Sequence, residues 1–493
     1  MKKEFVFSYD FGTSGVKAAL VTLAGRVVDT ATAEYPLHLP ASDMAEQEPE
    51  DYWNAVCAAT RAVLAKTGAD PHAVAGLAFG TQWKGIIPID KNGRVLHRSI
   101  IWMDARGAEE AEMLNAHFKT DAFSASDLWA RLWWLRRHAP HLIDDADVIL
   151  EANGYLKWRA TGEYAIDIGD CFVRSYDVVQ ENFYREILAF CAVPQDKFPR
   201  MVDAHEQVGT LTEKAAAEMG LAEGTPVFGG NSDIGGVAVG AGEGREGGVH
   251  AYFGSSGWIG YVVPHRNREV YIAPLDRERD IALFSNRAIG LSFNWAIDRF
   301  YITEKQSLGA RVHAFVDNDI KDIPAGSNGL IALPWFYGDR PPLLGDDARG
   351  GFLNLGAEHD RRHMTHALME AVCYQIRMGM EHEIATKGFT VPHEITAIGG
   401  GACSPLWMQI FADVLGIPIR VTREPRHAGA IGTAYAVLIG LGVCANYEEA
   451  AKRTEIAAVY TPNPENKAVY DRSYAVFRTL YRTLAPVFAL NNK

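Results

Sequence analysis

The sequence predicts an α/β protein made of two similar domains. Three observations carry that reading. The chain has 493 residues, more than one hydrophobic core ordinarily organises. Its first part reads as three strands, a helix and a fourth strand, the mark of a mixed α/β unit. And Phe11-Gly12-Thr13-Ser14-Gly15 returns as Phe253-Gly254-Ser255-Ser256-Gly257, about 240 residues later, the signature of an internal repeat.

The opening strand covers 5–10, where Val6, Ser8 and Asp10 alternate with Phe5, Phe7 and Tyr9. Gly12-Thr13-Ser14-Gly15 is turn chemistry. Residues 16–22 form a second strand, 23–26 turn again, and 27–34 form a third. Residues 49–66 make an amphipathic helix, with Pro49 in its first turn and Gly68 beyond its end. Residues 74–80 are a buried strand. The second half restarts in the same way, with strands at 249–253 and 258–263 flanking the second turn. Gly240 to Gly248, with five glycines and three charges, would serve as the hinge, so the domains are expected at 1–243 and 244–493.

Composition narrows the function. An apolar content of 48% and a charged content of 22% are those of an ordinary globular protein. The net charge of −13 argues against a nucleic-acid or anionic-membrane surface. It leaves room for a phosphate ligand, which backbone amides and a bound cation can hold. The N-terminus runs straight into a strand pattern, and the six cysteines show no CxxC pairing, so a reduced cytoplasmic protein with buried thiols is expected. Residues 428–443, apolar but short and rich in Gly and Ala, read as a packed core helix and not as a membrane span.

Four segments carry chemistry. In the first turn, Gly12, Thr13, Ser14 and Gly15 offer hydroxyls and bare amides to phosphate oxygens, Asp10 can hold a magnesium ion, and Lys17 can add a cation. A plain hairpin is the alternative. The second turn repeats the offer through Gly254, Ser255 and Ser256. Gly399-Gly400-Gly401 ends a strand at 395–398 and precedes a helix with Ser404 as N-cap, Pro405 at its first position and Gly416 at its end. A flat nucleotide can lie on such bare backbone, including Gly400, Gly401 and Ala402; the alternative is a structural Gly turn. Finally, a strand at 225–228 leads into Gly229-Gly230-Asn231-Ser232-Asp233, where an acid can orient and deprotonate an attacking hydroxyl or simply cap the next helix. His359, His363 and His366 have helical spacing that zinc could use, but solvent-facing or capping histidines are favoured. Trp129, Trp133 and Trp134 read as an amphipathic helix packing on a core.

Together these pieces resemble the FGGY family of carbohydrate kinases. Asp10 to Lys17 looks like its first phosphate motif, and Trp102-Met103-Asp104-Ala105-Arg106 is similar to its Trp-x-Asp-x-Arg segment. Residues 230–240 resemble the stretch with the catalytic aspartate, and 253–257 the second phosphate motif. Gly338-Asp339-Arg340-Pro341-Pro342 is similar to its Gly-[Glu/Asp]-Arg-x-Pro loop. Residues 399–416, with Ser404, Trp407, Gln409, Ala412, Asp413 and Gly416, resemble the signature before the adenine pocket. The matches keep family order over nearly the whole chain.

The resemblance implies two actin-like ATPase domains of ribonuclease H-like fold with an intervening cleft. The first would bind the sugar and the second ATP with Mg2+. Asp233 would be the base, and Asp10 and Asp233 would hold the metal. Gln82, Trp83, Lys84, Trp102 and Asp104 would face the sugar. It also implies a keto-sugar substrate, D-xylulose foremost, with another pentulose, an alditol or a sugar acid as alternatives; a non-catalytic sensor is a further one. A homodimer is common in the family. Two departures bear on specificity. Members acting on xylulose usually carry Met-His where this chain has Trp83-Lys84, and Asn153-Gly154 stands where Lys-Asp or a similar acidic pair is usual.

Overall fold

The computed structural model describes residues 2–265, 272–339 and 347–491. It divides by contact into two compact units. The first comprises Met1–Glu246, Val262–Ala282 and His427–Thr454; the second comprises Gly247–Tyr261, Leu283–Arg426 and Glu455–Lys493. The units are therefore not two consecutive halves, because a late segment of chain returns to complete the first.

The first sheet contains β1 (Phe5–Phe11), β2 (Gly15–Thr22), β3 (Val27–Glu34), β4 (Val74–Thr81), β5 (Gln207–Thr210), β6 (Pro226–Phe228) and β7 (Asn231–Ser232). Its order is β5-β6-β4-β1-β2-β3, with β7 also on β4. β1, β2 and β3 form the expected antiparallel meander. β4 then joins β1 in parallel, β6 joins β4 in parallel, and β5 closes that edge antiparallel. A parallel neighbour needs a crossover, and α1 (Pro49–Thr67) supplies the first one. It starts with Pro49 and ends on Gly68 in the left-handed region, as the sequence predicts. Its Tyr52, Trp53, Val56 and Val63 bury against Phe7, Tyr9, Phe11 and Leu20 of the sheet.

The second sheet repeats the plan. Its strands are β8 (Val249–Phe253), β9 (Gly257–Pro264), β10 (Ile272–Pro274), β11 (Arg279–Asn286), β12 (Ile395–Ile398), β13 (Ile419–Thr422) and β14 (Ile456–Tyr460). The order is β10-β11-β9-β8-β12-β13-β14. β8 pairs antiparallel with β9 and parallel with β12; β12 pairs parallel with β13, and β14 closes the edge antiparallel. The repeated pentapeptide thus marks a repeated topology, in each case the turn between the first two strands.

The remaining helices that matter here are α2 (Ala152–Thr161), α3 (Asp233–Gly240), α4 (Arg361–Lys387), α5 (Pro405–Leu415) and α6 (Ala428–Gly440). α6 is the apolar segment read as a core helix, and Ala428 through Leu438 are all buried. Among the described residues no helix is long and apolar enough to cross a membrane. α6 lies against α3 in the first unit with backbone almost touching backbone. A Cβ on Gly236 would come 3.1 Å from the Gly429 oxygen, and one on Gly240 or Gly432 would overlap the facing chain outright. Only glycine permits this approach.

Two expectations change, and a third falls on residues outside those described. His363 does cap α4, in a reciprocal box with Asp360, but His366 is buried, bonded to the Ser327 hydroxyl and facing Glu370; none of the three histidine side chains is solvent-facing. Five cysteines are buried, whereas Cys403 is exposed in the glycine-rich turn. Arg340, Pro341 and Pro342 lie outside the described residues.

Candidate active site

The turn between β1 and β2 is built to present amides. The Gly12 carbonyl accepts from the Tyr35 hydroxyl at 2.5 Å, and the Thr13 carbonyl accepts from Gln47 Nε2 at 2.6 Å. In a trans peptide the N–H points opposite to the C=O. Holding these two carbonyls therefore turns the Thr13 and Ser14 N–H groups away from Tyr35 and Gln47. Trp102 Nε1 donates to Thr13 Oγ1 at 3.3 Å. Gly12 and Ser14 are exposed. Neither Gly12 nor Gly15 has a left-handed backbone, so conformational freedom is not why glycine stands there. At Gly15 the reason is proximity: a Cβ would lie 2.5 Å from the Ala33 oxygen of β3.

Asp10, at the end of β1, and Asp233, the first residue of α3, are both half-buried. Asp233 does not cap its helix. Ser232 does that, accepting from the Gly235 N–H at 3.3 Å, which leaves the Asp233 carboxylate to accept only locally, from the Ile234 N–H. Burial raises the Asp10 carboxyl above its ordinary range, while Lys17, with Nζ 4.0 Å from Oδ2, pulls it down. Burial and then the Asp10 charge push Asp233 up to about 7. Two mutually repelling carboxylates are hard oxygen donors, and this donor set fits magnesium. Gly429 of α6 sets the room available: a Cβ there would come 2.9 Å from Asp10 Cγ.

The loop after β4 shows which proposed sugar contacts are available. Gln82 is buried. Its Nε2 donates to Gln47 Oε1 at 2.7 Å, while Oε1 has no hydrogen-bond partner. Trp83 is half-buried, packed edge-on against Phe172 at 5.3 Å between ring centroids. Lys84 is a correction to the reading that it faces the sugar. Its ammonium is buried in an ion pair with Asp127 at 2.8 Å and lies over the Trp83 ring. Its backbone, at φ 61°, is held by Asp170 Oδ1 and Arg131 Nη2, both at 2.5 Å. Such a conformation costs about 1–3 kcal/mol and persists where surroundings enforce it. Asp104 is the second correction. It is fully buried, takes two bonds from the Arg106 guanidinium, one from the Arg106 N–H and one from the Ala45 N–H, and Arg106 also pairs with Glu46. The Trp-x-Asp-x-Arg segment therefore anchors the chain at 45–47 through Asp104 and Arg106, and only Trp102 reaches the turn.

In the second unit the turn is supported differently. The Gly254 and Ser255 carbonyls accept backbone N–H groups of Ile289, Gly290 and Leu291. Ser255 is exposed, and Gly254 and Ser256 are half-buried. In the third glycine cluster, Gly399 is left-handed and pressed against Phe253. Gly400 is exposed with open space where a side chain would be, and Ala402 is buried. α5 begins as the sequence predicts, with the Ser404 hydroxyl capping Trp407 N–H at 3.0 Å, and ends on left-handed Gly416.

Sequence reasoning missed two groups. One is Gln47 with its anchor Glu46, in a two-residue strand that no periodicity marks. The other is a buried acid trio, Glu151, Asp167 and Asp170, whose ligand atoms lie within 4.8 Å of one another. Burial pushes Glu151 up to about 7 and Asp167 up to about 6, with Lys157 drawing both down. Asn153 and Gly154 sit beside these acids: the Asn153 amide donates to the Phe79 carbonyl, and a Cβ on Gly154 would meet Glu151 Oε2 at 2.6 Å. That departure from the usual Lys-Asp is thus set in a buried polar cluster.

A sheet plan used twice, each time with a glycine turn between the first two strands, is the architecture of the actin-like ATPase fold. The particular family is given by comparison with known proteins. Residues 5–240 match the N-terminal domain, and 281–441 the C-terminal domain, of the FGGY family of carbohydrate kinases, and the chain belongs to that family. It is 25% identical to the xylulose kinase of Bacillus subtilis (strain 168), over 97% of each chain. The crystal structure of xylulose kinase from Rhodospirillum rubrum superposes with a TM-score of 0.82 at 27% identity, covering 98% of this chain and 100% of that one. Gluconate kinase from Lactobacillus acidophilus has the same fold, with a TM-score of 0.84 at 20% identity over 98% and 99% of the two chains. The protein is a carbohydrate kinase that uses ATP with Mg2+.

Proposed function

We propose that this kinase transfers the γ-phosphoryl group of ATP to a hydroxyl of a neutral keto-sugar, D-xylulose foremost, with Asp233 as the base. The observation that supports it most is the Asp233 carboxylate, free of a capping role and pushed to about 7. A base serves best with a pKa near the working pH, and such help is typically worth about 10²–10⁴-fold. Asp233 would accept the acceptor hydroxyl proton and orient the oxygen. The Thr13 and Ser14 amides and hydroxyls, with Lys17, would hold phosphate oxygens in the first unit, and Gly254, Ser255 and Ser256 would do so in the second. The bare backbone at Gly400, Gly401 and Ala402 would carry the nucleotide base. Asp10 and Asp233 would hold magnesium, which neutralises phosphate charge when bound.

The sugar loop favours a neutral substrate over a sugar acid. The Lys84 ammonium, which a carboxylate would call on, is committed to Asp127. Gln82 Oε1 and the Trp83 face suit hydroxyls and a sugar's apolar side. The relatives named xylulose kinase point the same way. We place the enzyme in the cytoplasm, acting on small molecules. The first domain would be the sugar-binding one, ending near 243, and the second the ATP-binding one.

The test is ADP release over a panel of pentuloses, alditols and sugar acids. D-xylulose is expected to lead. Asp233→Asn should lower turnover at least about 100-fold while ATP still binds. For the wild type, kcat should fall as the pH drops far enough to protonate Asp233, because the base works only once deprotonated. Wild-type turnover in Asp233→Asn, or a sugar acid as the best acceptor, would overturn this reading.

A further inference from the structure

Gln47 touches both functional loops of the first unit. It is fully buried in the short strand Glu46–Gln47, which pairs with Ser99–Ile100. Its Oε1 accepts from the Tyr52 hydroxyl at 2.9 Å and from Gln82 Nε2 at 2.7 Å, and its Nε2 donates to the Thr13 carbonyl at 2.6 Å. Both ends of one amide are thus in use, each toward a different loop. The Thr13 carbonyl can only accept, and so fixes which end of the Gln47 amide is nitrogen. That choice leaves oxygen facing Tyr52 and Gln82, each of which then donates. The same contacts leave Gln82 Oε1 as the free end of Gln82, buried and without a partner.

We infer that Gln47 is a positioning residue which sets acceptor recognition and phosphate recognition together. This rests on the kinase reading above. Gln47 acts through others. By holding the Thr13 carbonyl it turns the Ser14 N–H away from the interior, and by holding Gln82 Nε2 it presents Gln82 Oε1 to an acceptor hydroxyl. Its own place is secured by the Glu46–Arg106–Asp104 cluster, with Arg106 Nη2 2.7 Å from both Glu46 Oε1 and Asp104 Oδ2. This gives Asp104 and Arg106 a role that does not require them to touch the sugar.

The two arms can be broken separately. Gln47→Glu keeps an oxygen for Tyr52 and Gln82 but has no N–H for Thr13. It should weaken ATP at least about 10-fold, in KM and in calorimetric binding without acceptor, and move the acceptor KM less than about threefold. Gln82→Met should do the opposite. Gln47→Met should weaken both, and adding Gln82→Met to it should change the acceptor KM no further. Thermal melts identify any variant that fails to fold, and Gln82→Met with Gln47→Met then carries the test. ATP affinity unchanged in a folded Gln47→Glu, additive acceptor effects in the double variant, or equal losses of kcat with both KM values unmoved would each overturn the inference. Should the wild type phosphorylate no acceptor, the kinase reading fails by itself, while calorimetry of ATP on Gln47→Glu still decides the phosphate arm.

Discussion

The two glycine turns share a sequence pattern and a place in the sheet, yet they are supported by different means. The first is held at Gly12 and Thr13 by side chains, Tyr35 on Gly12 and Gln47 and Trp102 on Thr13, and by main chain at Ser14, whose carbonyl accepts the Tyr35 N–H at 3.2 Å. The second is held by backbone N–H groups at the start of the helix Gly290–Phe300. They differ also in the residue just before. Asp10 is the last residue but one of β1, whereas the matching position in β8 is Tyr252, whose ring packs on Trp258 at 4.3 Å between centroids. A backbone-supported turn is indifferent to most substitutions around it and suits a task every such kinase shares. A turn held by side chains can be tuned together with its neighbours. The acid and the tunable support occur in the same unit as Asp233, so under the proposed function chemistry and acceptor choice would be concentrated there.

The largest effects should come from filling the space that both turns deny to a side chain. Gly15→Ala would put a methyl 2.5 Å from the Ala33 oxygen, and Gly257→Ala would drive one into the Tyr252 carbonyl and the Ile289 side chain. Overpacking of this kind costs about 1–3 kcal/mol, and displaced phosphate donors should lower turnover about 100-fold. β3 is an edge strand and can yield; the Gly257 site is closed on two sides. Gly257→Ala should therefore lower the melting temperature further than Gly15→Ala. Equal or reversed losses in scanning calorimetry would remove the proposed difference in rigidity.

A smaller effect is expected where the comparison turns on Asp10. Gly429→Ala places a methyl 2.9 Å from Asp10 Cγ, and α6 has no slack against α3. The carboxylate must shift, so the half-saturating Mg2+ concentration should rise about 3- to 10-fold, as expected for loss of about 1 kcal/mol of binding. Manganese binding to the ATP-loaded protein, followed by electron paramagnetic resonance, should weaken in parallel. An unchanged metal requirement would detach Asp10 from the metal.

Much of this arrangement was legible in the sequence. Strand alternation at 5–10, the Pro49 and Gly68 bounds of α1, and the Ser404 cap and Gly416 end of α5 follow from local chemistry, and local chemistry is what a sequence displays. The repeat of the turn revealed the repeat of the sheet. What stayed hidden depends on distant partners. Lys84 reads as a sugar contact until Asp127, 43 residues away, takes its charge. Asp104 reads as a ligand until Ala45 and Arg106 converge on it. Gln47 has no motif at all, because its three contacts come from positions 13, 52 and 82. The return of α6 to the first unit is likewise a tertiary event; its Gly and Ala content announced close packing but not the helix it packs on.

The smallest effect offers the sharpest comparison. Tyr35→Phe removes one hydrogen bond from the Gly12 carbonyl and leaves the ring's packing against Phe11 and Tyr52 in place. A net loss of about 0.5–1.5 kcal/mol is expected, appearing as a KM for ATP raised about 2- to 10-fold. Ile289→Val, at the matching support of the second turn, trims a side chain but keeps the N–H that binds the Ser255 carbonyl at 3.0 Å. Its KM for ATP should stay within about twofold of the wild type, since the donor is main chain. Equal shifts in the two variants would mean that both turns depend on their side chains alike, and the division of labour argued from their supports would not hold.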